Sequence, residues 1–301
     1  MLDNVAHLRY GLVNKIKSFL KNHFYFNFWC HQSSFVCYTV VMDFLPPAKL
    51  PFIEKWIFFG SPVPLLSIFV IYFAILKFGP TYMKNRPAYK LKNVIRFYNL
   101  IQIFSCTLFS ILARYGWGYN MFEAAFQCVL RYEDHIKTLD EMIFIYTLYW
   151  YFFLVRLIEL FETVFFVLRK KQEQISFLHV YHHISTLVFL YILNRYSASP
   201  MEAFVAILNN NVHILMYTYY FFSSFEKLSK YLNVLKPIMT TIQIVQLIII
   251  LMQCLAARMC GSTYLFYVFS FNIAVLIFFF AQFYYKSYIL KKKEVSGAKN
   301  E

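Results

Sequence analysis

Apolar residues in this chain gather into seven runs, at about 57–78, 94–113, 142–168, 176–194, 201–222, 236–257 and 263–286. A helix rises 1.5 Å per residue, so roughly 20 residues cross the ~30 Å hydrocarbon layer of a bilayer. The alternating segments of ~10 residues that mark a transmembrane barrel do not occur. The pattern therefore predicts an all-α, polytopic membrane protein with seven transmembrane helices. No internal repeat is evident. The third run is overlong and carries charge in its second half, and the first contains Pro62 and Pro64, which suits a kinked or frayed start.

Outside the runs the chain divides into an N-terminal extension, 1–50, a seven-helix domain, 51–290, and a basic tail, 291–301. The extension contains a further apolar stretch from Phe24 to Leu45, interrupted by His31, Gln32, Ser33 and Ser34. It reads equally as an eighth span, a re-entrant piece or an interfacial helix. It has no clear small-residue cleavage site, so it is not read as a signal peptide.

Composition sharpens this picture. The chain is 60% hydrophobic and 22% aromatic, whereas a soluble domain is closer to half apolar. Glycine is scarce and no Gly-rich nucleotide loop is present. The formal net charge is +14. Nucleic acid binding would want a solvated basic face, but here the Lys and Arg flank apolar runs. They fill alternate loops: Lys84, Arg86, Lys90 and Lys92; Arg169, Lys170 and Lys171; Lys227, Lys230 and Lys236; and Lys291, Lys292 and Lys293 in the tail. The positive-inside rule then predicts a cytosolic C-terminus. The cysteines are scattered with no CxxC, and there is no N-x-Ser/Thr sequon.

The informative letters are the polar residues within the runs, since ionisable groups at membrane depth are costly. Arg156, Glu159 and Thr163 recur on one helix face, with Glu162 beside them. His179, His182 and His183 share a face at the start of the fourth run. Asn209, His213, Met216, Tyr217 and Tyr220 share one in the fifth, and Thr240, Gln243 and Gln246 one in the sixth. Taken singly, each has a bland reading: a structural ion pair, a buried core His, or interhelical hydrogen bonding. The HxxHH spacing also suits metal ligands, as in membrane di-iron desaturases or oxidases. In the orientation above, however, all of these residues fall in one layer of the cytosolic half of the membrane. That predicts a single polar chamber opening toward the basic loops.

These strings resemble the signature motifs of the ELO family of very-long-chain fatty acid elongases, of the animal type. The family's HxxHH is matched by His179, His182 and His183. Its NxxxHxxMYxYY is matched by Asn209, His213, Met216, Tyr217, Tyr219 and Tyr220, and its TxxQxxQ by Thr240, Gln243 and Gln246. Its KxxExxDT appears as Arg156, Glu159, Glu162 and Thr163, with Arg for Lys at 156 and Glu for Asp at 162. The segments Gly79-Pro80, Asn85-Arg86-Pro87 and Tyr98-Asn99 also look like the family.

The resemblance implies a 3-oxoacyl-CoA synthase. Such an enzyme joins a long-chain acyl-CoA to malonyl-CoA with loss of CO2, within an acyl tunnel enclosed by the seven helices. It implies His182 as nucleophile, His213 as the facing assistant, and His179 and His183 as orienting or oxyanion-stabilising groups. Arg156, Glu159, Glu162, Thr163, Asn209, Tyr217, Tyr220, Gln243 and Gln246 would support them. Arg169, Lys170 and Lys171 would meet the phosphates of CoA. No bound cofactor or metal is expected, and no nucleic acid. Expected partners are membrane lipid, the ketoreductase, dehydratase and enoyl reductase of an elongation cycle, and a second copy of the chain. The location implied is the endoplasmic reticulum membrane. The alternatives left open are a metal-dependent lipid desaturase or oxidase, and an impaired elongase-like scaffold that keeps the fold.

Overall fold

The computed structural model describes residues 51–117, 139–196, 200–257 and 264–290. The N-terminal extension to residue 50 and the basic tail from 291 lie outside these residues. All of the regular structure among the described residues is helical. The long helices are α1 (Val63–Met83), α2 (Lys92–Trp117), α3 (Leu139–Ile158), α5 (Phe177–Tyr196), α6 (Pro200–Ser223), α8 (Leu235–Ala257) and α9 (Tyr264–Tyr284). Two short ones, α4 (Phe161–Leu168) and α7 (Glu226–Leu232), complete the set. Each of the seven long helices therefore falls on one of the seven apolar runs.

Helices α1, α2, α8 and α9 are long and apolar enough to cross a membrane by length and composition. The helices outside that group include α3, α5 and α6, which carry the polar motifs. Apolar side chains are exposed along the four, such as Val70 on α1, Phe104 on α2, Met252 on α8 and Phe271 on α9. An outer surface of this kind fits hydrocarbon, and the protein is a multi-pass membrane protein.

Two boundaries differ from the sequence pattern. The first helix begins at Val63 and not near 57, with proline in its first turn. Proline fits there because the first-turn N–H groups have no intrahelical partner to lose. A 3-10 turn, Pro51–Lys55, precedes it. The overlong third run is not one helix: it breaks at Glu159 and Leu160, between α3 and α4. There the backbone tightens to three-residue hydrogen bonds, Glu159 N–H to Arg156 O at 3.3 Å and Leu160 N–H to Leu157 O at 3.2 Å.

The helices close into a ring. Going round it, α2 packs on α3, α3 on α5, α5 on α9, α9 on α8, α8 on α6, and α6 back on α2. Helix α1 stands outside the ring against α4. That approach is close: a Cβ at Gly79 would lie 2.7 Å from Cγ1 of Val167. An aromatic core fills the α2–α3 side of the ring, with Phe109 stacked on Phe152 at 4.9 Å between centroids. An aliphatic and aromatic cluster around Leu247, Ile250, Phe269 and Ile273 fills the α8–α9 side.

The basic loops meet on one side of the ring. Lys170 Nζ donates to the carbonyl of Lys84 at 3.1 Å, which joins the loop after α4 to the loop after α1. Lys92 pairs with Glu226, and Arg96 donates to Ser224 Oγ at 2.9 Å, which adds the segment after α6.

Candidate active site

The polar motifs converge inside the ring. The rings of His182 on α5 and His213 on α6 face each other across its interior, near-parallel at 19° with centroids 6.5 Å apart. His183 lies edge-on to both of its neighbours, at 5.6 Å from His182 and 4.4 Å from His179. His183 and His213 are buried.

The break between α3 and α4 places two carboxylates against these imidazoles. Glu159 Oε1 lies 3.6 Å from His213 Nε2, and Glu162 Oε2 lies 3.9 Å from His183 Nε2. On its other side His213 Nδ1–H donates to the carbonyl of Asn209, 3.0 Å away. A carbonyl only accepts, so this bond puts a proton on Nδ1 and directs Nε2 at Glu159. His179 Nε2 sits 2.8 Å from Thr163 Oγ1, which in turn lies 3.0 Å from Tyr72 OH on α1.

Each carboxylate has partners of its own. Glu162 Oε1 accepts from Tyr217 OH at 2.6 Å and from Tyr98 OH at 3.2 Å, and Gln102 Nε2 donates to Tyr98 OH at 3.0 Å. Glu159 pairs with Arg156, both residues being almost fully buried. The guanidinium spreads its fork: one nitrogen meets Glu159 and the other donates to Asn210 Oδ1 at 3.0 Å. Asn210 passes the connection to α2, donating to the Cys106 carbonyl and to Ser110 Oγ. A buried charge pair is tolerable when its remaining lone pairs and protons are bonded, and here most are.

The sequence-predicted residues sort as follows. Arg156, Glu159, Asn209 and His213 form one bonded group, Glu162, His183 and Tyr217 a second, and Thr163 and His179 a third. Ring contacts of His183 with His179 and of His213 with Tyr217 bring the three together, and His182 stacks on His213. Gln243 lies beside this layer, donating to Met216 Sδ at 3.4 Å. Gln246 lines the adjoining cavity. Tyr220 stands at the margin, 43% exposed, with its ring against Tyr217. Arg169, Lys170 and Lys171 follow α4 on the side of the basic loops, with Lys171 3.7 Å from Glu173.

Sequence reasoning gave no role to Tyr72, Gln102 and Asn210. Asn210 sits in a run of three asparagines whose helical phase turns one toward α2. Tyr98 drew attention only as part of the family-like Tyr98-Asn99 pair. Gln102, one turn further on, extends that face.

Glu162, His179 and His183 bring ligand-type atoms within 4.8 Å of one another, close enough for a cation to bridge. In this arrangement His179 Nε2 is engaged by Thr163, and Glu162 Oε1 by two tyrosines.

His182 also lines a cavity between α3, α5, α6, α8 and α9, with apolar walls that include Phe152, Leu193, Ile250 and Phe269. The site thus joins a hydrogen-bonded imidazole–carboxylate layer to an apolar channel. Residues 57–296 match the profile of the ELO (GNS1/SUR4) family. This chain belongs to the ELO family.

Curated relatives are similar over most of their length. Very long chain fatty acid elongase 2 of Rattus norvegicus is 32% identical over 252 residues, covering 81% of this chain and 86% of the relative. Very long chain fatty acid elongase F of Drosophila melanogaster is 36% identical over 265 residues, 85% of this chain and 98% of the relative. Very long chain fatty acid elongase 4 of Homo sapiens is 31% identical over 254 residues, 81% and 77%.

Proposed function

We propose that this ELO-family chain is the condensing enzyme of fatty acid elongation, a 3-oxoacyl-CoA synthase acting on a long-chain acyl-CoA and malonyl-CoA. The observation that carries the reading is His182: it faces His213 across the ring and opens onto an apolar cavity. A nucleophile at the mouth of a dry channel is what transfer of a fatty acyl group requires. Each CH2 drawn into such a channel gains about 0.8 kcal/mol, enough to hold a tail that water would not.

The reaction runs in two stages. The His182 imidazole attacks the acyl thioester carbonyl, the C–S bond breaks, and CoA leaves as the thiol after taking up the imidazole proton. Malonyl-CoA then loses CO2, and the electron pair of that C–C bond becomes an enolate. The enolate carbon attacks the acyl-imidazole carbonyl, the C–N bond breaks, and His182 takes up one proton from solvent, the proton that the overall condensation consumes. The products are CO2, CoA and a 3-oxoacyl-CoA two carbons longer.

His213, held by Asn209 and Glu159, is the facing group that moves protons and steadies the enolate oxygen. His179 and His183 orient His182, with Thr163 and Glu162 fixing them in turn. Tyr217, Gln243 and Gln246 border the reacting centre. Arg169, Lys170 and Lys171 meet the CoA phosphates at the mouth. In this reading the C-terminus is cytosolic, the membrane is that of the endoplasmic reticulum, and the product passes to a ketoreductase, a dehydratase and an enoyl reductase.

The test is condensation by purified protein with malonyl-CoA, followed by mass spectrometry of the product. The wild type is expected to form a 3-oxoacyl-CoA, and His182→Ala to form none. Intact protein from a single-turnover mixture without malonyl-CoA should carry one acyl group on the peptide that contains His182. Persistence of condensation in His182→Ala, or activity that disappears on chelation and returns with metal, would reject this mechanism.

A further inference from the structure

The cavity beside His182 does not stay apolar along its whole length. It runs toward the ends of the helices opposite the basic loops, and there three polar residues line it: Asn194 near the end of α5, Glu202 at the start of α6 and Gln253 near the end of α8. All three are buried. Asn194 is 1% exposed, and its amide nitrogen makes no hydrogen bond within the protein. A buried donor left without a partner costs about 1–3 kcal/mol. A tunnel meant only for a methyl-ended chain has no use for it, because the hydrocarbon terminus cannot accept a hydrogen bond.

We infer that the far end of this cavity recognises a hydroxyl group at or near the ω end of the acyl chain. The inference rests on the elongase reading above. The chemistry is complementary: a hydroxyl oxygen accepts from the Asn194 amide N–H, and its own proton is donated to the Glu202 carboxyl or the Gln253 amide oxygen. The spacing sets where on the chain that hydroxyl lies. Asn194 is twelve residues beyond His182 on the same helix, roughly 18 Å along its axis. A site built to bond a substrate hydroxyl discriminates against the analogue that lacks it, since the Asn194 amide is then left without an acceptor. A retained water would satisfy the same amide, and the experiment separates the two.

Full-length protein in lipid nanodiscs is given malonyl-CoA and pairs of saturated acyl-CoAs of equal length, one of each pair carrying an ω-hydroxyl, across a series of lengths. The expected result is a kcat/KM ratio of hydroxylated to plain substrate that peaks at about tenfold at one length. Asn194→Leu brings that ratio to one or below, and Gln253→Leu, read in the same way, lowers it should the first variant fold poorly. A ratio at or below one at every length in the wild type overturns the inference and leaves a retained water as the amide's partner. A wild type that condenses neither substrate refutes the elongase reading itself. Thermal stabilisation by the two acyl-CoAs without malonyl-CoA then decides the site alone: greater stabilisation by the hydroxylated one supports it, and equal stabilisation overturns it.

Discussion

Helices α1 and α5 are nearly the same length, 21 and 20 residues, yet they meet the membrane in opposite ways. Helix α1 turns Leu66, Val70, Ile71 and Phe73 outward and buries only a thin stripe. Helix α5 buries His183, Ser185, Asn194 and Arg195 along with its apolar residues. The first is held by shape, through Gly79 against Val167 and one hydroxyl contact from Tyr72. The second reaches α2 through polar contacts, His183 meeting Glu162 and Glu162 accepting from Tyr98. In a bilayer the apolar effect does not sort one helix from another, because lipid tails are as apolar as leucine. Polar side chains therefore decide which helices must sit together, and those same side chains form the site.

Substitutions should separate the two kinds of helix sharply. Removing one partner of the buried pair has the largest effect on stability. Glu159→Leu strands the Arg156 guanidinium and is expected to cost about 3–5 kcal/mol, read as an early thermal transition in detergent. A transition within a degree of the wild type would mean the pair does not hold the ring. Next comes Arg156→Lys, which keeps the charge but loses the fork that serves Glu159 and Asn210 together. It should cost about 1–2 kcal/mol and lower condensation, even though Lys is the more usual family residue at this position.

The outer contact is weaker. Gly79→Val drives a side chain into Val167 and should cost about 1–3 kcal/mol by overpacking, with activity following stability. A loss of activity at unchanged stability would instead tie α1 directly to the chamber. The smallest effect belongs to the lipid face: Val70→Ala should stay within about 0.5 kcal/mol by chemical denaturation. A change several times larger would show that this face is covered by protein.

Much of the site could be read in the sequence because its chemistry is local. His179, His182 and His183 lie within two turns of one helix, and the His213 motif within three of another. A shared chamber for His182 and His213 follows from their common depth once the basic loops set the orientation, whereas their facing is implied only by the family resemblance and is seen in the structure. What the sequence could not supply was the neighbour relation between helices distant in the chain. Asn210 and Gln102 look like ordinary polar residues until α2 and α6 are seen to pack together. The break at Glu159 was equally hidden: no proline or glycine marks it, and the tightened turn follows from packing rather than propensity. The start of α1 was misplaced by six residues because apolarity alone ran through Pro62, whereas backbone geometry begins the helix after it.

The order of the ring has a consequence for how the chain is made. Helices α5 and α6 follow one another in synthesis, yet α8 and α9 stand between them in the finished ring. Until those last two helices leave the ribosome, the imidazoles of α5 and the asparagines of α6 have no closed chamber to face. The newly made protein must therefore hold two of its more polar segments in or near lipid and wait for the wall to arrive. Its assembly would then depend on α8 and α9, neither of which carries a histidine.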